Sequence, residues 1–399
     1  MTSHDVIIVG AGPAGSTTAA LLAERGVNVV LVERATFPRP KPCAEYLSPE
    51  AGRILARLGL LERIDAAGPA RLSGMRIISP GGTSFTGHFA GRHGFRGYSD
   101  QGLALPREVL DTIVAEAAEQ RGATLLQGAA ATGVEATASG VRVTVRHGGG
   151  QDTIAGRLLI GADGLKSRVA RTFGLSRRRA LRRLALVTHA VDVAGMGNVG
   201  EMHVSSFGYV GLASIGHGVT NVAIVVDRDR RAPAPAEPWF AELLGGFPEV
   251  AERMRNARLV SPITVVGPFG RWTSRATADG LMLVGDAADF HDPFTGEGIY
   301  AALHGGELAA AHAESALGSG RLDARSLAPY DRARAKAFRG KWFFERAVAA
   351  AVSHERLFNR IASRLARRPD LADLMIGVAG DFVPVSRLLR PWNALQLVI

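Results

Sequence analysis

The sequence predicts an α/β fold: a discontinuous, doubly wound nucleotide-binding domain, an inserted mostly antiparallel β-sheet, and a C-terminal helical region. Three observations predict it: a strand–glycine turn–helix–strand unit at the N-terminus, a block of strands without helices over residues 184–226, and helical patterning beyond residue 298. The expected segments are 1–70, 101–180 and 276–320 for the nucleotide-binding domain, 71–100 and 181–275 for the inserted substrate sheet, and 321–399 for the helical region.

The N-terminal unit reads VIIVGAGPAGSTTAALLAERGVNVVLVER. Val6–Val9 is a short apolar run typical of a fully buried strand. Gly10, Gly12 and Gly15 follow with GxGxxG spacing, which permits a tight turn, close approach of a pyrophosphate, and close packing of helix on strand. The next strand is expected over Val27–Val32 and is followed by Glu33, whose carboxylate can accept hydrogen bonds from ribose hydroxyls. The unit predicts an adenine dinucleotide site, and a glycine-rich turn without a ligand is the alternative.

Composition indicates a folded protein with ample cores. The 399 residues are 47% hydrophobic and 21% charged, enough for two or three domains. No apolar run reaches the roughly 18 residues of a membrane span, and the N-terminus lacks the pattern of a signal peptide. The single cysteine, Cys43, excludes an internal disulfide and suits a reducing compartment. We therefore expect a cytoplasmic protein, and no metal site is predicted.

Positive charge is concentrated near the C-terminus. The net charge is +10, and residues 321–370 carry 13 Lys and Arg against 5 Asp and Glu. A solvated arginine-rich surface, a peripheral contact with an anionic membrane, and nucleic acid binding are the alternatives. No nucleic-acid-binding motif accompanies the charge, so nucleic acid is not an expected partner. The aromatic cluster Trp342–Phe344 belongs either to the core or to a lipid contact.

The remaining elements are predicted from local patterns. A proline-rich loop follows Glu33, Ser48-Pro49-Glu50 begins a helix, and Arg107 leads another. Strands over 124–126, 141–145 and 153–160 form a meander. Strands over 184–193, 201–204, 209–215 and 219–226 form an antiparallel sheet. A strand over 281–284 then returns the chain to the first domain and meets Gly285-Asp286.

Three stretches together resemble a known family. They are residues 10–33, Gly161-Ala162-Asp163-Gly164 with Ser167-Arg168, and Gly285-Asp286-Ala287-Ala288. The set is similar to the para-hydroxybenzoate hydroxylase-like flavoproteins, the superfamily of FAD-dependent monooxygenases and geranylgeranyl reductases. The resemblance implies extended FAD as cofactor and NADPH or NADH as reductant. Lys41-Pro42-Cys43 and residues 293–299 (PFTGEGI) resemble the geranylgeranyl reductase branch.

The resemblance also assigns positions to FAD. Besides the N-terminal glycines and Glu33, Arg107 can make a charge-assisted contact to a phosphate or ribityl oxygen. The helix that begins near Gly298 can stabilise an anionic reduced flavin with its positive end. Cys43 either packs beside the flavin or has a redox role. The implied FAD contacts are Gly10, Gly12, Ala14, Gly15, Glu33, Arg34, Cys43, Ala44, Tyr46, Arg107, Ala131 (placed only by its spacing from Arg107), Asp163, Asp286, Gly298 and Ile299.

The superfamily divides after reduction of FAD. Geranylgeranyl reductases carry a Tyr-x-Trp-x-Phe-Pro strand along a lipid tunnel, whereas the corresponding strand here reads YVGLAS over 209–214. This departure favours an NAD(P)H-dependent monooxygenase that hydroxylates a hydrophobic phenolic or polyketide-type small molecule through a flavin C4a-hydroperoxide. Reduction of alkene bonds in an isoprenoid is the second interpretation. A non-catalytic flavin-binding partner protein is the third.

A catalytic base is predicted less directly. Hydroxylation of a phenol benefits from a side chain that removes the ring hydroxyl proton. His291 is the candidate nearest in sequence to Asp286, with Asp289 beside it. Further candidates on the predicted substrate strands and their turns are His88, His203, Tyr209 and His217.

Overall fold

The computed structural model describes residues 3–178, 183–227, 235–290, 292–390 and 393. Numbered in chain order, the strands are β1 Ser3–Val9, β2 Val29–Val32, β3 Tyr46–Leu47, β4 Ala70–Leu72, β5 Gly74–Ile78, β6 Ser84–His88, β7 Gly102–Ala104, β8 Thr124–Leu126, β9 Ala130–Thr137, β10 Gly140–His147, β11 Gly150–Gly161, β12 Ser176–Arg178, β13 Arg183–Val191, β14 Val199–Ser205, β15 Gly208–Ser214, β16 Val219–Asp227, β17 Arg258–Leu259, β18 Thr264–Val266, β19 Arg271–Thr273, β20 Thr277–Ala278 and β21 Leu281–Leu283. The α-helices are α1 Pro13–Ala23, α2 Pro49–Arg57, α3 Leu61–Ala66, α4 Arg107–Gln120, α5 Arg168–Thr172, α6 Ala236–Gly245, α7 Pro248–Arg253, α8 Gly298–Ser319, α9 Ala324–Val352, α10 Glu355–Arg367, α11 Pro369–Ala379 and α12 Val385–Leu388, with 3-10 turns at Gly285–Ala287 and Pro293–Thr295.

The first large sheet is the core of the nucleotide-binding domain. Its strand order is β20-β21-β11-β1-β2-β8, and β1 pairs in parallel with both β2 and β11. Val6, Ile7 and Ile8 are fully buried, as expected for an apolar run covered on both faces of a parallel sheet. Because β21, β11, β1, β2 and β8 pair in parallel with one another, their carboxyl ends meet at one edge. The predicted doubly wound domain from discontinuous segments is confirmed, although β2 begins two residues later than expected.

The second large sheet is the predicted substrate sheet. Its order is β17-β13-β16-β15-β14-β5-β6, with β18 also paired to β13. The pairs are antiparallel except β14 with β5, which is parallel. Side chains alternate along β13: Leu186 and Ala190 pack with α6 and α7, whereas Ala185 and Val187 face the opposite core. The mostly antiparallel character is confirmed, and one face of this sheet is turned toward the nucleotide-binding domain.

The C-terminal helices pack at the β6 end of the second sheet, in the same core as Ala185 and Val187. Phe344, Phe358 and Leu371 are buried in the same core as Phe85 of β6. On α11, Asp373 accepts hydrogen bonds from the backbone N–H groups of His88 and Arg92. Of the aromatic cluster Trp342–Phe344, Phe344 is therefore a core residue, whereas the Phe343 side chain is 44% exposed. Among the described residues, no helix is long and apolar enough to cross a membrane.

Candidate active site

The glycine turn after β1 contains two glycines that the fold requires and one that it does not. Gly10 has φ +105°, and a Cβ there would lie 2.4 Å from the Ala162 carbonyl oxygen. A Cβ on Gly15 would lie 1.9 Å from the Gly10 carbonyl oxygen. A Cβ on Gly12 would meet nothing nearer than Nη2 of Arg39, at 4.0 Å. Gly12 therefore faces open space, which is what a ligand lying against the backbone needs.

Helix α1 begins at this turn with its N-terminus free. Gly12 is the N-cap, no side chain caps the helix, and its first turn carries no acidic residue. The first-turn N–H groups, including those of Ala14 and Gly15, consequently have no intrahelical acceptor. Free donors and the positive end of the helix together make an anion site suited to a pyrophosphate.

Glu33 is buried at the end of β2, directly beside this turn. One carboxylate oxygen, Oε2, accepts from the Ala11 N–H at 3.0 Å and from Nη2 of Arg39 at 3.3 Å. The other, Oε1, accepts from the Ala35 N–H at 3.1 Å. The next residue, Arg34, points to solvent. The acid is thus held rigidly where the sequence analysis placed the ribose.

Asp111 of α4 organises the basic side of the site. Its side chain is fully buried and accepts from Arg107 Nε at 2.7 Å and Nη2 at 2.9 Å, while Nη1 of Arg39 lies 3.1 Å away. One carboxylate therefore fixes two guanidinium groups, and Arg39 is shared between Asp111 and Glu33. Among the described residues, buried Nε of Arg39 has no hydrogen-bond partner. An unpaired buried donor of this kind can bind an anionic or hydroxyl-bearing ligand.

A second unpaired group lies at the end of β11. Asp163 accepts from the N–H groups of Arg168 at 2.6 Å and Val169 at 3.2 Å through Oδ2. Its other oxygen, Oδ1, is buried and has no partner within the described chain. Lys41 and Asp286 lie close together nearby. Burial raises the pKa of Asp286 and lowers that of Lys41, and each shift is opposed by the charge of the other.

The far end of the site is the turn before α8. Gly296 has φ +72° and is covered by the ring of Tyr46, Gly298 begins the helix, and Ile299 is buried behind it. Cys43 and Ala44 are half-buried in the adjoining loop. Ala131 lies on β9 opposite Val145. An extended FAD running from Gly12 to Gly298 would fit these features. They are the open space at Gly12, the uncapped N-terminus of α1, and the two unpaired buried atoms, Nε of Arg39 and Oδ1 of Asp163.

Comparison with known proteins agrees with this geometry. The model of the FAD binding domain family matches residues 3–338, which is most of the chain. This chain belongs to that family, among the geranylgeranyl reductase-like flavoproteins. The resemblance stated from the sequence is confirmed, and the flavoprotein is an FAD-dependent oxidoreductase.

Relatives and solved structures give the same result. A digeranylgeranylglycerophospholipid reductase of Methanothermobacter thermautotrophicus is 32% identical over 350 residues, 83% of this chain and 82% of that protein. A menaquinone reductase of Mycobacterium tuberculosis is 31% identical over 77% of this chain and 76% of that protein. A crystal structure of a flavoprotein/dehydrogenase from Cytophaga hutchinsonii shares the fold with a TM-score of 0.84 and 22% identity, covering 99% of this chain and 96% of that one.

The substrate sheet of the flavoprotein presents three rows of side chains toward the cofactor segments. Strand register places Gly211 beside Ala223 and Ala223 beside Val187 in the middle row. Gly211 and Ala223 are half-exposed although the surrounding face is buried. Ala213, in the next row, is also half-exposed. Because these three residues are small, this part of the sheet face is less covered than its surroundings. We call the surface formed by Gly211, Ala213 and Ala223 the middle recess.

A polar clamp closes one end of the middle recess. It joins Glu45, in the Cys43–Tyr46 loop, to His189 of β13 and Asn221 of β16. Oε2 of Glu45 lies 2.7 Å from Nε2 of His189 and accepts from the Asn221 amide at 2.9 Å, and the same amide donates to the Cys43 carbonyl at 2.8 Å. Glu45 has φ +59°, a left-handed conformation uncommon for this residue type. The loop is thereby tied to the sheet.

A second polar clamp closes the opposite end. Asp292 accepts from the Tyr209 hydroxyl at 2.9 Å and from Nη1 of Arg183 at 2.7 Å, and all three groups are buried. Asp292 also caps the Pro293–Thr295 turn by accepting from the Phe294 N–H at 3.0 Å. Burial and the neighbouring Asp292 raise the pKa of Tyr209 well above its ordinary value. Tyr209 is therefore a neutral anchor and not a base.

Glu297, directly before α8, is part of a buried charge cluster. Its carboxylate lies 3.6 Å from Nζ of Lys341, which also lies 3.4 Å from Asp381. Burial, reinforced by Asp381, raises the pKa of Glu297 well above its usual range. Burial likewise raises the pKa of Glu345 to about 7. The raised pKa disfavours the charged form of Glu297 and so lessens its opposition to the positive end of α8.

Most of the predicted base candidates already have partners or lie away from the cofactor segments. His291 lies outside the described residues. Asp289 pairs with Arg334. His203 pairs with Glu201 on the opposite face of the sheet, where Arg253 of α7 joins them, so it faces away from the cofactor. Exposed His88 ends β6, and His217 contacts the Ala67 carbonyl in a turn.

Sequence reasoning missed several residues of the site. They are Arg39, Lys41, Asp111, Glu45 and His189. The signal for His189 was present, because Ala185, Val187 and His189 alternate with the apolar residues that face the helices. Asp111 had no such signal: its spacing from Arg107 indicates an ordinary ion pair on one helix.

Proposed function

We propose that the flavoprotein is a reductase that saturates a carbon–carbon double bond in a hydrophobic, isoprenoid-type substrate, using reduced FAD as hydride donor and NADPH or NADH as reductant. The observation that carries the proposal is the middle recess. It is an apolar, half-exposed surface between the Cys43–Tyr46 loop and the turn before α8, the two segments expected to flank a flavin. An apolar alkene placed there would lie against the cofactor.

The names of the relatives support the same chemistry. Several relatives with 29–32% identity are named digeranylgeranylglycerophospholipid reductases, and another is named a menaquinone reductase. All of these names describe reduction. The sequence analysis placed hydroxylation first because the Tyr-x-Trp-x-Phe-Pro strand is absent. The absence of that strand affects which substrate fits. It does not determine whether the reduced flavin transfers hydride to the substrate or reacts with O2.

The chain's own residues would bind the cofactor and exclude water. FAD, when bound, supplies the hydride. Gly12 and the N-terminus of α1 would hold the pyrophosphate, Glu33 the ribose, and Asp163 and Arg39 the polar groups that match their unpaired atoms. The positive end of α8 would stabilise the charge of the reduced ring. The buried face around the middle recess would keep solvent from the reacting carbons.

Hydroxylation of a phenolic or polyketide-type molecule is the second candidate. The observation that favours it is the pair of small residues, Gly211 and Ala213, at positions where the resemblance leads one to expect bulky aromatic side chains, which would leave the middle recess wider. A wide recess accepts a ring system more readily than a single unbranched chain does. The same width also suits an isoprenoid attached to a ring.

Mass spectrometry of the product separates the two chemistries. The protein is loaded with FAD, reduced anaerobically with NADPH, and mixed with geranylgeranyl lipids, menaquinones or phenols, with and without O2. Gain of two hydrogen atoms without O2 is the expected result. Gain of one oxygen atom, seen only with O2, would replace the reductase proposal with the monooxygenase. Reoxidation with no product from any substrate class would favour a non-catalytic flavoprotein.

A further inference from the structure

The Glu45–His189 pair has the form of an acid–base dyad at the edge of the middle recess. Nε2 of His189 lies 2.7 Å from Oε2 of Glu45, and the Glu45 side chain is 4% exposed. The backbone N–H of Arg107 donates to the other Glu45 oxygen at 2.8 Å, and the Asn221 amide donates to Oε2. Three donors therefore hold the carboxylate, which in turn orients the imidazole, as in other carboxylate–histidine pairs.

His189 lies in the row of side chains next to Gly211, because it pairs with Asn221 and Asn221 pairs with Ala213. Its side chain is 25% exposed, and its contact with Glu45 is made through Nε2, so Nδ1 is the ring nitrogen that this contact leaves free. The backbone of His189 is fixed by the Ser261 hydroxyl, which accepts from its N–H at 2.9 Å. An oriented, partly exposed imidazole thus lies at the edge of the middle recess.

We infer that His189 is the proton donor of the proposed reduction and that Glu45 is its positioning residue. Saturation of an alkene needs two hydrogens from different sources. One carbon receives the hydride that reduced FAD supplies, the π-bond electrons move to the neighbouring carbon, and that carbon takes the proton from Nδ1 of His189. FAD ends oxidised and is reduced again by NADPH or NADH. Neutral His189 recovers its proton from solvent.

The other nearby acids are less suitable. The Tyr209 hydroxyl already donates to Asp292 at the opposite end of the recess. The hydrogen bond to Glu45 raises the pKa of His189, and the charges of Glu45 and Glu108 add to the shift, although burial opposes it. A raised pKa means that the imidazole keeps its proton to higher pH than an unpaired histidine does, and loses it as the pH rises through the folded value. The donor would therefore fail at alkaline pH.

The inference rests on the proposed function, and the test separates the two. FAD-loaded wild type and H189Q are reduced anaerobically with NADPH and then mixed with the alkene substrate. The glutamine amide can still donate to Glu45, and Asn221 keeps its own hydrogen bond to that carboxylate, so the loop should stay tied to the sheet. We therefore expect flavin reduction close to the wild-type rate, but product formation in H189Q lower by about a hundredfold or more, within the range for loss of a general acid. Product formation by wild type should decline as the pH rises, whereas H189Q should show no such decline. E45Q should move the wild-type decline to lower pH.

H203Q is the matched control. His203 pairs with Glu201 at 3.0 Å in the same sheet but on the face away from the cofactor. We expect it to keep wild-type product formation. Equal losses in H203Q and H189Q, or wild-type turnover with an unchanged pH profile in H189Q, would overturn the role of His189 alone. Wild type that reduces no alkene would overturn the proposed function and this inference with it.

Discussion

Replacement of Gly12 by valine should abolish FAD retention without unfolding the protein. In the structure a Cβ at this position meets only Nη2 of Arg39, at 4.0 Å, so the side chain occupies space and displaces no protein atom. That space is the expected path of the pyrophosphate across the N-terminus of α1. A ligand pushed away from the helix loses hydrogen bonds to its charged phosphates, each contributing about 1.5–3 kcal/mol. Loss of two such bonds weakens binding by roughly 10²- to 10⁴-fold.

The assay titrates apoprotein with FAD and follows quenching of flavin fluorescence, while circular dichroism follows the melting of the apoproteins. Gly15→Ala is the comparison variant, because a Cβ at Gly15 would lie 1.9 Å from the Gly10 carbonyl oxygen and 3.1 Å from Cβ of Ala162. We expect Gly15→Ala to lower the melting temperature of the apoprotein and Gly12→Val to leave it nearly unchanged. Full FAD occupancy and an unchanged Kd in Gly12→Val would refute the placement of the pyrophosphate.

Three further predictions concern the cofactor loop, the recess and the surface. Cys43→Ser should retain FAD and lose less than about a hundredfold in turnover, or about 2.7 kcal/mol, if the thiol only packs; a larger loss in stopped-flow kinetics would give it a chemical role. Gly211→Trp should fill the middle recess and abolish substrate turnover with FAD bound, whereas Gly211→Ala, whose Cβ would lie 3.8 Å from Met202 Cε, should stay active; an active tryptophan variant would exclude the recess as substrate site. Finally, exposed Arg332, Lys336 and Arg339 on α9 lie on the same side as exposed Phe343 and should give weak binding to anionic vesicles at about 50 mM salt, since each such charge contributes about 1 kcal/mol; equal sedimentation with neutral vesicles would contradict this.

The sequence was sufficient wherever a local pattern determines structure. The run Val6–Val9, the three glycines after it and the alternation along residues 141–145 each specify an element through neighbouring residues, and the structure contains all of them. Even Ser48 caps α2 as predicted, accepting from the Ala51 N–H at 3.3 Å. Fold class could be predicted because these elements appear in an order that few architectures accommodate.

Contacts between residues far apart in the sequence could not be predicted from local patterns. The parallel pairing of β14 with β5 joins residues more than a hundred positions apart, and no local signal sets its register. Asp111 holds Arg39 and Arg107 together only because α4 and the proline-rich loop meet in space. His189 acquires a partner because Glu45 adopts a left-handed conformation, which depends on the tertiary setting. Residues of this kind are identified from contacts and not from composition.

The two clamps explain how the recess can vary while the cofactor geometry stays fixed. Glu45 ties the Cys43–Tyr46 loop to one end row of the sheet, and Asp292 ties the turn before α8 to the row at the other end. Gly211 and Ala223 lie between these rows and take part in neither clamp. If the substrate lies in the middle recess as proposed, a change of side chain in the middle row alters the room for it and leaves both clamps in place. Arg183 and Asp292 form a buried ion pair, and because such a pair typically costs about 3–5 kcal/mol when one partner is lost, this clamp tolerates little variation. The departure from the Tyr-x-Trp-x-Phe-Pro pattern falls at Gly211 and Ala213, which take part in neither clamp, so under the proposed function it would change which substrate fits while both clamps stay intact.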